Sequence, residues 1–195
     1  GELIRLPVNS KNPMTVALNA QRLAAVIRKR RVQIVHARSR APAWSALLAA
    51  RMTGVPFVTT FHGIYNGRRG LKRFYNSVMA RGDVVIANSE YTREHILENY
   101  DVKPERVVAI PRGADIDVFN RANVAPSEIA AMRTLWNLGA RDARCVVIAP
   151  ARLTRWKGQL VLIEAVRLIE ERRPGALKVI IAGDAQGRTS YLQEM

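Results

Sequence analysis

Cysteine is almost absent: Cys145 is the one thiol in a chain of 195 residues. A lone thiol can build neither a disulfide framework nor a multi-cysteine metal site, and a place inside an apolar, strand-like run suits a reducing cytosol. Histidine is nearly as scarce, and the separations of His36, His62 and His95 resemble no zinc-ligand spacing, so no metal is expected. Aromatic residues make up 6% of the chain, too few for an evident base-stacking platform, which makes nucleic acid the weaker reading of a formal net charge of +15. No apolar run approaches the ~20 residues that cross a bilayer, and the N-terminus carries no signal-peptide pattern. Internal repeats, low-complexity tracts and a fixed glycine-rich phosphate motif are missing too. A cytoplasmic protein is expected, soluble or peripheral at the inner face of the membrane.

What the chain does have is apolar material, 48% of its residues, ample for a packed core in one large domain or one and a fraction. The cations are dispersed through Arg28 to Arg31, Arg38, Arg40, Arg68, Arg69, Lys72 and Arg73 rather than gathered in a tail or basic helix. They permit an anionic partner, a phosphate or an anionic membrane surface, without identifying one.

Helix and strand signals alternate, which argues for an α/β fold with parallel sheets and crossover helices. Val16, Ala20, Leu23, Ala24 and Ile27 mark one face of a helix over Met14 to Lys29, followed by a strand at Val32 to Ala37. A helix at Pro42 to Met52, ended by Gly54, leads to a strand at Val55 to Phe61. Beyond a Gly- and Arg-rich loop come a helix at Leu71 to Ala80, a strand at Val84 to Ala87, a helix to Tyr100 capped by Asn88 or Ser89, and a strand at Arg106 to Ile110. The stretch from Pro111 to Asp142 is less regular, with a helix at Pro126 to Leu138 and a turn at Gly139, and reads as a crossing between domains. Strands at Cys145 to Ala149 and Leu177 to Ala182 then flank a helix whose apolar face is Leu162, Ala165, Val166 and Ile169, and a further helix begins at Thr189.

The run CVVIA from Cys145 reads as a strand buried on both faces. In the turn after it, Arg152 and Lys157 sit near the free N–H groups that open the next helix, where a phosphate would be held by charge and by hydrogen bonds. On spacing alone, Arg152, Arg155 and Lys157 fit three solvated loop cations equally well. His62 follows the strand VPFVTTF, at the edge where open α/β sheets bind ligands, although by itself it reads more readily as a histidine satisfied by loop backbone.

The segment ARLTRWKG, its apolar helix and KVIIAGDAQGR together resemble the donor-binding region of the retaining glycosyltransferases of family 4, which have the GT-B fold. FHG (Phe61 to Gly63), IANSEYT (Ile86 to Thr92) and IPRGAD (Ile110 to Asp115) occur upstream in that family's order. The resemblance implies two Rossmann-like domains, both incomplete: an acceptor-side domain over residues 1–118, a crossing over 119–142 and a nucleotide-sugar domain over 143–195, so that the chain reads as an internal fragment. It assigns Arg152 and Lys157 to the donor diphosphate, Gly183 and Asp184 to the donor nucleotide region, and His62 to the reaction centre. Gly113 and Arg112 fall at the interdomain cleft, Arg112 standing where the family commonly has Asn. Arg38 and Arg40 form a candidate acceptor side. Gly113 is expected to meet a backbone demand, and Ala151 stands where the family usually has Gly.

The implied activity is transfer of a sugar, with retention, from a nucleotide-diphosphate sugar to an acceptor such as a cell-envelope glycan or glycolipid precursor, with no cofactor. The alternatives are a GT-B phosphorylase or epimerase-like enzyme, or a non-catalytic basic module binding nucleic acid or anionic membrane.

Overall fold

The computed structural model describes residues 2–65, 70–139, 142–187 and 189–195. The chain divides into two compact units, residues 1–114 and 115–195. Arg68 and Arg69, in the Gly- and Arg-rich loop, lie outside the described residues.

The first unit contains α1 (Pro13–Arg30), β1 (Val35–Ala37), α2 (Arg40–Thr53), β2 (Phe57–Phe61), α3 (Gly70–Ser77), β3 (Val84–Ala87), α4 (Glu90–Asn99) and β4 (Val107–Ala109). Its sheet has the order β1-β2-β3-β4, and every pairing is parallel. This is the expected α/β alternation. The core lies at the centre of the sheet, where Phe57, Phe61, Val78, Met79, Val85 and Ile96 are fully buried. Ala24 and Ile27 of α1 pack with Ala49 of α2, the two alanines leaving room for the helices to approach closely.

The face expected of α1 turns inward throughout. Asn19 is buried on the same helix, and its amide Nδ2 donates to the Pro7 carbonyl at 2.7 Å, which removes the cost of burying a polar group. Asn12 caps the helix start by accepting from the Met14 and Thr15 amides. Ser89, one of the two expected caps of α4, accepts from the Thr92 amide.

Some boundaries move for identifiable reasons. β1 begins at Val35 rather than Val32, because the Val32 amide is spent on the Ile27 carbonyl at the end of α1. The helix expected to reach Ala80 is α-helical to Ser77 and finishes in a 3₁₀ turn, Val78–Ala80.

The second unit contains α5 (Pro126–Leu135), β5 (Cys145–Pro150), α6 (Gln159–Arg172), β6 (Leu177–Ala182) and α7 (Thr189–Glu194). β5 and β6 form a parallel two-stranded sheet. The expected burial of β5 on both faces does not hold: Cys145 is exposed, and Ile148 retains 47% of its surface. Two strands leave too little sheet to cover both faces. For the same reason α6 buries only a narrow stripe, with Leu162, Ile163 and Val166 half-buried while Ala165 and Ile169 of the expected face are exposed. α5 stops at Leu135 rather than Leu138, since Asn137 takes a left-handed conformation (φ 52°); as a turn at Gly139 requires, the Gly139 carbonyl accepts from the Asp142 amide at 3.1 Å. Among the described residues, no helix is long and apolar enough to cross a membrane.

Candidate functional site

Parallel pairing brings the carboxyl ends of all four strands of the first unit to one edge, the edge at which open α/β sheets bind ligands. A cleft of about 390 Å³ opens there, lined by His36 of β1 and Arg38 just after it, Thr60 of β2 and His62 just after it, Asn88 after β3 and Arg112 beyond β4. Arg112 Nη2 donates to His62 Nδ1 at 2.8 Å. His36 Nε2 and Thr60 Oγ1 lie 2.8 Å apart and share a hydrogen bond.

Both imidazoles are held below the ordinary histidine value. For His62 the largest cause is burial, followed by the positive charges of Arg112 and Arg38; for His36 it is burial, then Arg38. Each shift disfavours the imidazolium, so both rings are neutral at pH 7.

The expected pair Arg38 and Arg40 is split. Arg38 lines the cleft, whereas Arg40 lies over the Tyr65 ring at 4.4 Å and donates to Asn76 Oδ1 at 2.7 Å. Tyr65 packs in turn at a tilt against Phe61, so Arg40 is tied into the packing of the sheet end. Gly113 carries no left-handed φ, and no described atom lies within 4 Å of where its Cβ would be, so the backbone demand expected there is not present.

In the second unit the β5–α6 turn and the end of β6 are laced together. Ala151 N donates to Ala182 O at 3.0 Å and Leu153 N to Asp184 O at 3.1 Å. This brings Arg152 and the segment Gly183-Asp184 alongside one another. A Cβ on Gly183 would come 1.8 Å from the Ala151 carbonyl oxygen, so the glycine serves a close approach of backbone to backbone. Asp184 Oδ1 accepts from the Gln186 amide at 2.8 Å and shapes the following turn.

The three cations of the β5–α6 turn are not alike. Arg155 pairs with Glu194 and lies over Tyr191. Arg152 and Lys157 are exposed and have no carboxylate partner among the described residues; Lys157 Nζ sits 4.3 Å from the Trp156 ring centroid. Gly158, in a left-handed conformation (φ 78°), then opens α6.

Two residues that the sequence reading passed over hold this turn. Gln159 is 2% exposed; its Nε2 donates to the Arg152 carbonyl at 2.9 Å and its Oε1 accepts from the Tyr191 hydroxyl at 3.3 Å. The same hydroxyl accepts from the Leu160 amide at 3.4 Å, so one of the N–H groups expected to be free at the start of α6 is partly engaged. The only cue was a glutamine directly after the helix-opening glycine, which looks no different from a solvated first-turn residue. Among the described residues no group of three metal-ligating side chains is found.

The profile of Glycosyltransferase Family 4 matches residues 2–118. A D-inositol 3-phosphate glycosyltransferase of Corynebacterium aurimucosum is 32% identical over 109 residues, covering 55% of this chain and 25% of that protein. A glycosyltransferase of Rickettsia africae superposes with a TM-score of 0.81 at 37% identity, over 98% of this chain and 49% of its own. Anabaena HepE, solved in complex with UDP and glucose, superposes with a TM-score of 0.72 over 95% of this chain and 49% of its own, at an identity of 23% that speaks for the fold alone. The chain spans about a quarter of the length of the curated relatives it matches and about half that of these solved structures. Its parallel-sheet architecture is of the GT-B type.

Proposed function

The chain belongs to Glycosyltransferase Family 4, and from that premise we propose that it serves a retaining transfer of sugar from a nucleoside-diphosphate donor to an acceptor such as a cell-envelope glycan or glycolipid precursor. The observation that carries the donor half is the division among the turn cations: Arg155 is committed to Glu194, while Arg152 and Lys157 stand exposed beside the opening of α6. Two such cations suit a diphosphate, and they oppose the negative charge that builds on the leaving group as the glycosidic bond breaks. Their charge takes the part that a metal ion plays elsewhere. HepE, which shares this fold, was solved with UDP-glucose, a donor of the class proposed here.

In the first unit, His62 is the candidate at the reaction centre: a neutral imidazole at a strand end that can hydrogen-bond a sugar hydroxyl. The cleft around it contains Arg38 and Arg112 and, among the described residues, no carboxylate, a composition that suits an acceptor bearing phosphate or carboxylate. Retention then rests on electrostatic stabilisation rather than on the paired carboxylates of glycosidases. We propose a cytoplasmic reaction, at or near the inner membrane face.

Calorimetric titration of the chain and its Lys157→Ala variant with UDP and with GDP, at two salt concentrations, tests this. Saturable binding of one diphosphate, abolished by the single substitution, is the expected result. Weak binding that survives the substitution and fades with salt alone would reduce the site to generic charge attraction.

A further inference from the structure

We propose that Arg112 is a positioning residue for His62: its guanidinium keeps Nδ1 unprotonated and the ring proton on Nε2, so that the imidazole meets a ligand in the cleft as a hydrogen-bond donor. A guanidinium has five N–H donors and no acceptor. The 2.8 Å contact from Arg112 Nη2 to His62 Nδ1 is therefore a hydrogen bond only if Nδ1 offers a lone pair. In the neutral ring the proton must then reside on Nε2, which has no partner among the described residues. An amide at position 112 could either donate or accept and would leave the tautomer open. Arginine closes that choice.

Protonation of the ring would destroy the bond, because an imidazolium has no lone pair, and would set two cations against each other. The remaining neighbours give the charged ring no relief. Arg38 follows β1, His36 on β1 is engaged with Thr60 of β2, and Asn88 follows β3; none supplies a carboxylate. Burial and the two arginines all act in the same direction on His62. Arg112 is itself exposed, on the segment after β4, so its removal leaves the buried sheet intact. Only the use made of the Nε2–H rests on the transferase reading above; the protonation geometry does not.

Long-range 1H–15N correlation spectra of the labelled chain, titrated with pH, read the tautomer and midpoint of each histidine, with His62 assigned through His62→Asn. His36 and His95 report in the same spectra that each variant is folded. In the unsubstituted chain His62 is expected as the single Nε2–H form, titrating below ordinary histidine. Arg112→Lys should retain that pattern, whereas Arg112→Ala should raise the midpoint and shift the Nδ1 resonance as its donor is lost. Arg112→Glu offers an acceptor in place of a donor and should draw the proton onto Nδ1 with a still higher midpoint. An Nδ1–H form in the unsubstituted chain, or an unchanged tautomer and midpoint in both Ala and Glu variants, overturns the proposal. Because no sugar transfer is read, this result stands apart from failure of diphosphate binding.

Discussion

Gly183 and Gly113 both stood out in the sequence, and their surroundings give them opposite obligations. At Gly183 an added methyl would fall 1.8 Å from the Ala151 oxygen and 2.8 Å from its carbonyl carbon. Both are backbone atoms of a segment already tied to Ala182, so neither can swing aside as a flexible side chain would. Relief requires the two loops to part, and the loop that moves carries Arg152. Overpacking of this kind costs about 1–3 kcal/mol, so Gly183→Ala should lower the second unit's stability by that amount. At Gly113 the corresponding space is open, and Gly113→Ala should stay within about 0.5 kcal/mol. Denaturant melts followed by tryptophan fluorescence, with Trp136 and Trp156 reporting on the second unit, compare the two. Equal costs, or a neutral Gly183→Ala, would mean that the close approach is not maintained in solution.

Elements are joined in the first unit by a residue that no motif announced. Asp83, in the turn before β3, accepts from the Phe57 amide at the start of β2 at 2.8 Å and from Arg51 of α2 at 3.2 Å, while its own amide donates to the Phe57 carbonyl at 2.7 Å. The Phe57 amide bond is the largest cause holding its carboxyl below the ordinary aspartate value, ahead of the Arg51 charge. A carboxylate with a lower value in the folded state contributes stability that is complete above its unfolded value and is lost as pH falls through the folded one. Asp83→Ala leaves the Phe57 amide unpaired and should cost about 1–3 kcal/mol at neutral pH. The difference from the unsubstituted chain should shrink in urea melts taken below pH 4; a constant difference would refute the carboxylate's role. The case also shows where the sequence was legible. Period and caps located the helices and strands to within a few residues, because α1 and β2 carry patterns that packing then uses. Asp83, Gln159 and the diversion of Arg40 onto Tyr65 were not readable, since each acts through a partner far along the chain. Cys145 was misjudged for a related reason: an apolar strand records what it could bury, and here two strands leave it exposed.

Across the whole molecule, stability should be unevenly distributed between the two units. Among the described residues, the buried apolar clusters lie in residues 1–114, built on Phe57, Phe61, Met79, Val85 and Ile96, whereas the buried apolar side chains of the second unit are Leu138, Leu153 and Tyr191, each still slightly exposed. Regions with little buried apolar surface open at lower free energy than a packed core. Hydrogen exchange should therefore reach β5 and β6 well before β2 and β3. A ligand that binds only the native form stabilises by RT ln(1 + [L]/Kd), about 2.7 kcal/mol at a hundredfold excess over Kd. If the donor diphosphate is held by Arg152 and Lys157, that stabilisation enters through the second unit, and its slowing of exchange should be concentrated at residues 151–162 and 182–184, with the core of the first unit unmoved. Exchange followed by mass spectrometry with and without saturating UDP or GDP makes the comparison. Slowing confined to the cleft around His62 would relocate the anion site to Arg38 and Arg112, and slowing spread over both units would point to the net charge of +15 rather than to a built site.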